Sequence, residues 1–207
     1  MEEDAKTSKN PFDEPSRRLR EADPQEIAAR AHIALVDAGF QIPFLGWDIR
    51  LTHPDLSFSM PAWLNTFSIR LLTLIYLAGG NDAPSADEWV PYRSLKDGLF
   101  YAKNFGETVE SRIAERFGND LDALEKAALA LGGRRVEQAD LAFVFKTFPT
   151  VPLLVMLWRA SEEFEASGMI LFDMNATEHL SVFDLKLLSS ELISLLIKVA
   201  DGKVILE

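Results

Sequence analysis

The sequence predicts an α+β domain, with a mainly antiparallel sheet whose C-terminal strands are central and which several α-helices cover. Three observations carry this. The C-terminal third holds three strand-length apolar runs, LAFVFKTF from Leu141, VPLLVMLWRA from Val151 and GMILFD from Gly168, rich in residues that suit a pleated sheet. Upstream, apolar residues recur at helical spacing and stop at the glycine pairs Gly79-Gly80 and Gly132-Gly133. Between the first helical stretches, QIPFLGWDIRLT offers two short runs around Leu45-Gly46, the pattern of a β-hairpin.

Taken in order, residues 1–22 are expected to form a disordered charged tail and residues 23–207 a single α+β domain. The tail has two prolines, many charges and few apolar side chains, too little buried surface to offset the entropy of ordering. Its cluster Arg17, Arg18 and Arg20 is read as solvated charge. Asp23, Pro24 and Glu26 form an N-cap, a first-turn proline and a capping-box partner for a helix running to about Asp37 and stopping at Gly39. After Pro61, the stripe Trp63, Phe67, Leu71, Leu74, Ile75 and Ala78 specifies the central buried helix.

From Asn81 to Gly106 periodicity is lost, and one short strand is expected near Glu88 to Arg93. Two helices follow, one carrying Val109, Ile113 and Phe117, the other Leu121, Leu124, Ala128 and Leu131 with Asn119 as its cap. VPLLVMLW is apolar at almost every position, which predicts a mid-sheet strand with both faces covered. Ser181 and Asp184 read as a capping box for a last helix with the stripe Leu185, Leu188, Leu192, Leu195, Leu196 and Val199.

Composition narrows the function. With 32 acidic against 21 basic residues the formal charge is -11, which repels phosphate backbones and anionic lipid and argues against nucleic-acid and membrane partners. Without cysteine the chain has no disulfide, no thiolate metal site and no thiol nucleophile. The charged start lacks the apolar stretch of a secretory signal, and the expectation is a cytoplasmic, soluble protein. No phosphate-cradling glycine loop or nucleophile elbow is present, and His32, His53 and His179 are far apart in sequence. No metal site and no cofactor is assigned, and the reading leans away from an enzyme.

Two groups of candidate ligand-binding residues remain. Trp89, Tyr92, Arg93 and Tyr101 place aromatic and cationic side chains on an irregular, glycine-containing segment, which suits a planar or anionic ligand; a loop anchored to the core by its aromatics reads the same way. Trp158, Glu163 and Asp173 lie at strand ends. Glu163 and Asp173 offer the alternative of an enzymatic acid–base pair, against the plainer reading of a solvated hairpin tip and a carboxylate that satisfies loop amides.

PFLG from Pro43, an apolar helix ending Leu-Ala-Gly-Gly, EWVPYRSLKDGLFY from Glu88, ALGG from Ala130, FPTVPLLVMLW, an acidic turn and ILFD follow one another in a set order. In that order and spacing the chain, over Pro24 to Leu196, resembles the prokaryotic domain of unknown function 3786 family. The family carries no established activity. The aromatic and arginine cluster, with no recognisable catalytic set beside it, points to a non-catalytic accessory domain binding a small molecule or a partner protein; the resemblance implies a link to anaerobic corrinoid or iron–sulfur metabolism in which any cluster belongs to the partner, and Trp89, Arg93, Gly98, Glu163 and Asp173 as positions to test.

Overall fold

The computed structural model describes residues 10–37, 39–204 and 206. Two antiparallel sheets share one core. The smaller has the order β1-β2-β3-β4, from β1 (Ala34–Val36), β2 (Gly39–Phe44), β3 (Trp47–Thr52) and β4 (Phe58–Ser59). Its hairpin closes through Leu45 and Gly46, both at positive φ, with Phe44 opposite Trp47. Positive φ at both turn residues gives the twist that fits a two-residue hairpin, and the core still takes Leu45 in completely. The strands alternate cleanly, with Phe40, Ile42, Phe44, Ile49 and Leu51 inward and Gln41, Pro43, Asp48 and Arg50 outward.

The larger sheet has the order β5-β9-β8-β7-β6: β5 (Trp89–Pro91), β6 (Arg134–Arg135), β7 (Leu141–Phe148), β8 (Val151–Trp158) and β9 (Ser167–Asp173). The C-terminal strands are central, as their apolarity requires. The hairpin tip of the small sheet is tied to this one by Leu45 N–H donating to the Lys146 carbonyl at 2.9 Å, and by Phe44 packing edge-on against Phe148. Tyr76, from α3 (Phe67–Ala78), stacks on Phe148 with centroids 4.5 Å apart and donates from Oη to the Ala31 carbonyl at 2.8 Å. Burial lifts its phenol pKa, only partly offset by the bond to Thr150.

On the inner side, Val151, Leu153, Val155 and Leu157 of β8 meet Ile170 and Phe172 of β9 and the stripe of α7 (Val182–Ala200) in a continuous core. The outer side departs from the expectation that both faces would be covered. Ala142, Val144, Leu154 and Met156 form a separate cluster packed only against Val136 and the sheet's own Trp89, Trp158, Met169 and Leu171. Large flanking side chains shield Leu154 and Met156 without a second layer.

The segment expected to be a disordered tail behaves differently where it is described. Residues 1–9 lie outside the described residues, but Asp13–Glu21 form helix α1, with Leu19 fully buried and Phe12 edge-on to Phe67 of α3. Arg17 and Arg18 bond Glu14, and Arg17 also bonds Glu21, so two arginines of the basic cluster sit in ion pairs one turn apart. Exposed pairs of this kind contribute little each; docking Leu19 stabilises by about 2 kcal/mol. Helix α2 (Pro24–Arg30) is capped by Asp23 through Gln25 N–H and stops before Asp37, because Ala34–Val36 pairs with β2 instead.

A helical run from Ala102 to Phe117 comprises α4 (Ala102–Phe105), a π-helical turn over Gly106–Glu110 and α5 (Ser111–Phe117). Helix α6 (Leu121–Ala130) is capped by Asp120 rather than Asn119, Asp120 accepting from Ala123 N–H at 3.1 Å. Helix α7 carries the Ser181–Asp184 capping box that its sequence specifies.

Helix α5 lies so close to β9 that a Cβ added at Gly168 would sit 2.5 Å from Ile113 Cβ and 2.9 Å from the Glu110 carbonyl oxygen. Gly168→Ala is therefore expected to destabilise by about 1–3 kcal/mol through overpacking, read as a lower urea midpoint at unchanged slope.

Candidate functional site

β5 holds only three residues against β9, in the register Trp89↔Asp173, Val90↔Phe172 and Pro91↔Leu171. Where β5 ends, the edge of β9 is taken over by a side chain: the Glu110 carboxylate accepts from Ile170 N–H at 2.9 Å. Between this edge, the β5 end and the π-turn opens a cleft of about 440 Å³, lined by Trp89, Arg93, Phe105, Glu110, Met169 and Leu171 among others. Its walls are mostly apolar and aromatic. Half-buried Glu110 is pushed above the usual carboxylate range by burial, which the Ile170 N–H bond offsets only in part. A depression of similar volume lies on the small sheet, beside Phe40 and Arg50.

Of the residues singled out from sequence, Trp89 and Arg93 line this cleft. Trp89 is half-buried, while Arg93 is exposed and, among the described residues, makes no ion pair. Tyr92 forms part of the wall, but its chemistry is committed to the core. Its ring stacks on Phe105 at 4.1 Å, its Oη donates to the Val182 carbonyl at 2.8 Å, and burial pushes its phenol up to about 12. Tyr101 turns away to pack against Phe183 beside a different depression.

Trp158 stands on the outer sheet face opposite Ser167, packed among apolar neighbours. Glu163 is exposed in the turn joining β8 to β9, whose amides are held by the Ser161 hydroxyl. Asp173 lies at the other end of β9, roughly 20 Å of extended strand away. The Glu163–Asp173 acid–base pair is thus excluded on geometry: one carboxyl is solvated at a hairpin tip and the other is buried at the opposite sheet end.

Glu110 was not among the sequence candidates. It lies on an ordinary amphipathic run in which Phe105, Val109 and Ile113 recur at the spacing of one regular α-helical stripe, so the sequence carries no signal that marks it. Single π-turns occur often at functional sites. Among the described residues, no three His, Asp or Glu side chains gather in metal-binding geometry. His179 is occupied by the Ala83 carbonyl at 3.0 Å, and burial holds its imidazole below the usual histidine value.

Asp173 acts as an organiser. Its carboxylate accepts from the N–H groups of Ala86, Asp87 and Asn175 and from the Ser85 hydroxyl. Burial opposes ionisation, but these four donors outweigh it and hold the pKa below its ordinary value. A depressed carboxylate contributes stability that is present above the unfolded value of roughly 3.9 and is lost as pH falls through the folded one. Asp173→Asn is expected to lower stability at neutral pH by about 1–3 kcal/mol, since Asn keeps one acceptor oxygen and brings an unwanted N–H₂ group to the other donors. Denaturant titrations at stepped pH should show the gap to wild type closing toward acid.

A family model described as a domain of unknown function, DUF3786, matches residues 23–194. No curated protein and no solved structure matches the chain. No helix among the described residues is long and apolar enough to cross a membrane. The matched span runs from the cap of α2 into α7 and contains the cleft, its π-turn and the Asp173 anchor, and the chain belongs to the DUF3786 family.

Proposed function

We propose that this is a non-catalytic accessory domain that binds a small amphipathic molecule in the cleft between Trp89, Arg93 and Glu110. The observation that carries the reading is Glu110: a half-buried carboxyl with raised pKa, presented by a π-turn into an apolar cleft whose rim holds an ion-pair-free arginine. Ligand sites are largely apolar with a few convergent polar groups, and strongly perturbed titratable groups mark them. Trp89 and Phe105 suit a ring or flat hydrocarbon, exposed Arg93 an anionic group, and half-buried Glu110 an N–H or O–H donor. A corrinoid is larger than the cleft, so a link to corrinoid or iron–sulfur metabolism would run through a partner protein.

The plainer role of Glu110 is to cap the β9 edge, and the two roles separate experimentally. Gln keeps an acceptor for Ile170 N–H while removing the charge. A carboxyl whose folded pKa is raised contributes stability below its unfolded value that is lost as pH rises through the folded one. Glu110→Gln is therefore expected to be as stable as wild type at neutral pH or slightly more so. In isothermal titration against a panel of aromatic carboxylates bearing an amine or amide, Glu110→Gln and Arg93→Ala should each weaken binding roughly 10- to 150-fold, the equivalent of about 1.5–3 kcal/mol. Binding to wild type should weaken as pH falls through the Glu110 pKa, and the Gln variant should lose that dependence. A panel that binds both variants as tightly as wild type would falsify the assignment.

A further inference from the structure

A group of exposed apolar side chains lies outside the cleft. Leu99 is 70% exposed, Phe100 84% and Phe183 57%, and Tyr101 packs on Phe183 with ring centroids 4.6 Å apart. Phe100, Tyr101 and Phe183 line one depression of about 420 Å³ together with Lys96. Singly exposed apolar residues are ordinary, but a contiguous group that includes two nearly bare large side chains marks an interaction site.

The display of these side chains is built into the backbone. Asp97 adopts the left-handed conformation at φ +64, and at Gly98 an added Cβ would fall 1.9 Å from the Tyr92 carbonyl oxygen. Gly98 N–H donates to the Leu95 carbonyl at 2.9 Å, and Leu95 and Tyr92 are both buried. The turn is thus pinned to the core on its inner side, with Leu99 and Phe100 directed outward. A strained non-glycine residue beside a glycine with no room for a side chain costs stability that a slack loop would not require.

Charge identifies the occupant. The chain as a whole is strongly acidic, yet the stretch from Arg93 to Lys103 carries Arg93, Lys96 and Lys103 against the single carboxylate of Asp97. Lys186, one turn along α7 from Phe183, reaches over to the Asn104 side chain and adds a further cation beside the patch. Lys103 is only loosely matched by Glu107 at 3.8 Å, and Asp184 is held in the Ser181 capping box. We propose that Leu99, Phe100, Tyr101 and Phe183 form the docking surface for a partner-protein segment that presents an apolar anchor flanked by carboxylates.

Two other occupants fit less well. A planar anionic membrane faces the whole molecule, whose net charge of -11 repels it, whereas the local cations act only within a Debye length of roughly 8 Å. A second copy docked about a two-fold axis would bring the same lysines toward one another. A short acidic segment meets the anchors and the local excess of cations without either penalty.

A random peptide library displayed on phage, selected on the full chain, tests this. Enriched peptides should combine aromatic or aliphatic residues with an excess of Asp and Glu, and synthetic copies should bind wild type measurably by fluorescence polarisation. The double variant Leu99→Ser with Phe100→Ser should weaken that binding about tenfold or more, the usual loss for a truncated central anchor. Lys96→Glu with Lys103→Glu should do the same and reduce the salt dependence. Both pairs replace exposed side chains and should leave the thermal unfolding curve in place, while Trp89→Ala and Glu110→Gln should leave peptide binding unchanged. The proposal is overturned if no peptides are enriched, if they show no acidic excess, or if the Ser variants bind equally well. Co-flotation with phosphatidylglycerol vesicles, or a sedimenting dimer, would also overturn it if either vanished in the Ser variants.

Discussion

The buried carboxylate of Asp173 is the constraint on which the functional end of the molecule depends. A charge at the end of a central strand is unfavourable unless donors surround it, and here the donors come from Ser85, Ala86 and Asp87 as well as Asn175. Satisfying the charge therefore drags an otherwise irregular segment onto the sheet. Asn175 adds a bond to the Pro84 carbonyl and His179 one to Ala83, so residues 83–87 are fixed along their length. Met174 N–H then donates to the Glu88 carbonyl, and Trp89 falls opposite Asp173. The position of Trp89 in the cleft wall follows from electrostatics two residues upstream.

The edges of the five-stranded sheet follow a related logic. An unpaired strand edge is a template for unwanted pairing. β5 ends in Pro91, which has no N–H to offer, and β6 is two arginines long. Beyond β5, Glu110 substitutes for a neighbouring strand, and Gly168 allows α5 close enough to bring it there. Edge protection and the polar group of the candidate site are thus one feature. Evolution of a ligand site at this place needs only that the capping carboxyl stay half-open to solvent.

Much of this was legible in the sequence, for identifiable reasons. Apolar runs with no alternation placed β7, β8 and β9 in mid-sheet, and glycine pairs and capping residues located the ends of α3, α6 and α7 to within a few residues. The hairpin was legible because Leu45-Gly46 leaves little choice of turn. What failed depended on tertiary contacts. The helix at Asp13–Glu21 has one core side chain, Leu19, and a charge pattern that reads as a solvated tail until α3 is there to receive it. Ala34–Val36 leaves the helical pattern because β2 offers ladder bonds. Trp89 and Arg93 were found by their types on an irregular segment, whereas Glu110 had no such signal. Asp173 was noticed for its position at a strand end, and its four donors, three of them about 86–88 residues upstream and the fourth at Asn175, assign it to structure.

The π-turn between α4 and α5 also sets a phase relation. A regular α-helix advances about 100° per residue, so an extra residue wound regularly would turn everything after it by that angle; the wider π-turn takes the residue up locally and leaves the flanking helices in phase. Phe105 ahead of the turn faces Tyr92, and Glu110 and Ile113 behind it face β9. A straight helix of the same sequence could keep one of these contacts but not both. Removal of a single residue between Gly106 and Val109 would restore regular winding with that phase kept, whereas regular winding of all the present residues would set the stacked aromatic pair against the capped strand edge. The turn therefore works as a local store for one residue, and its wider winding is what keeps the faces on either side of it in phase.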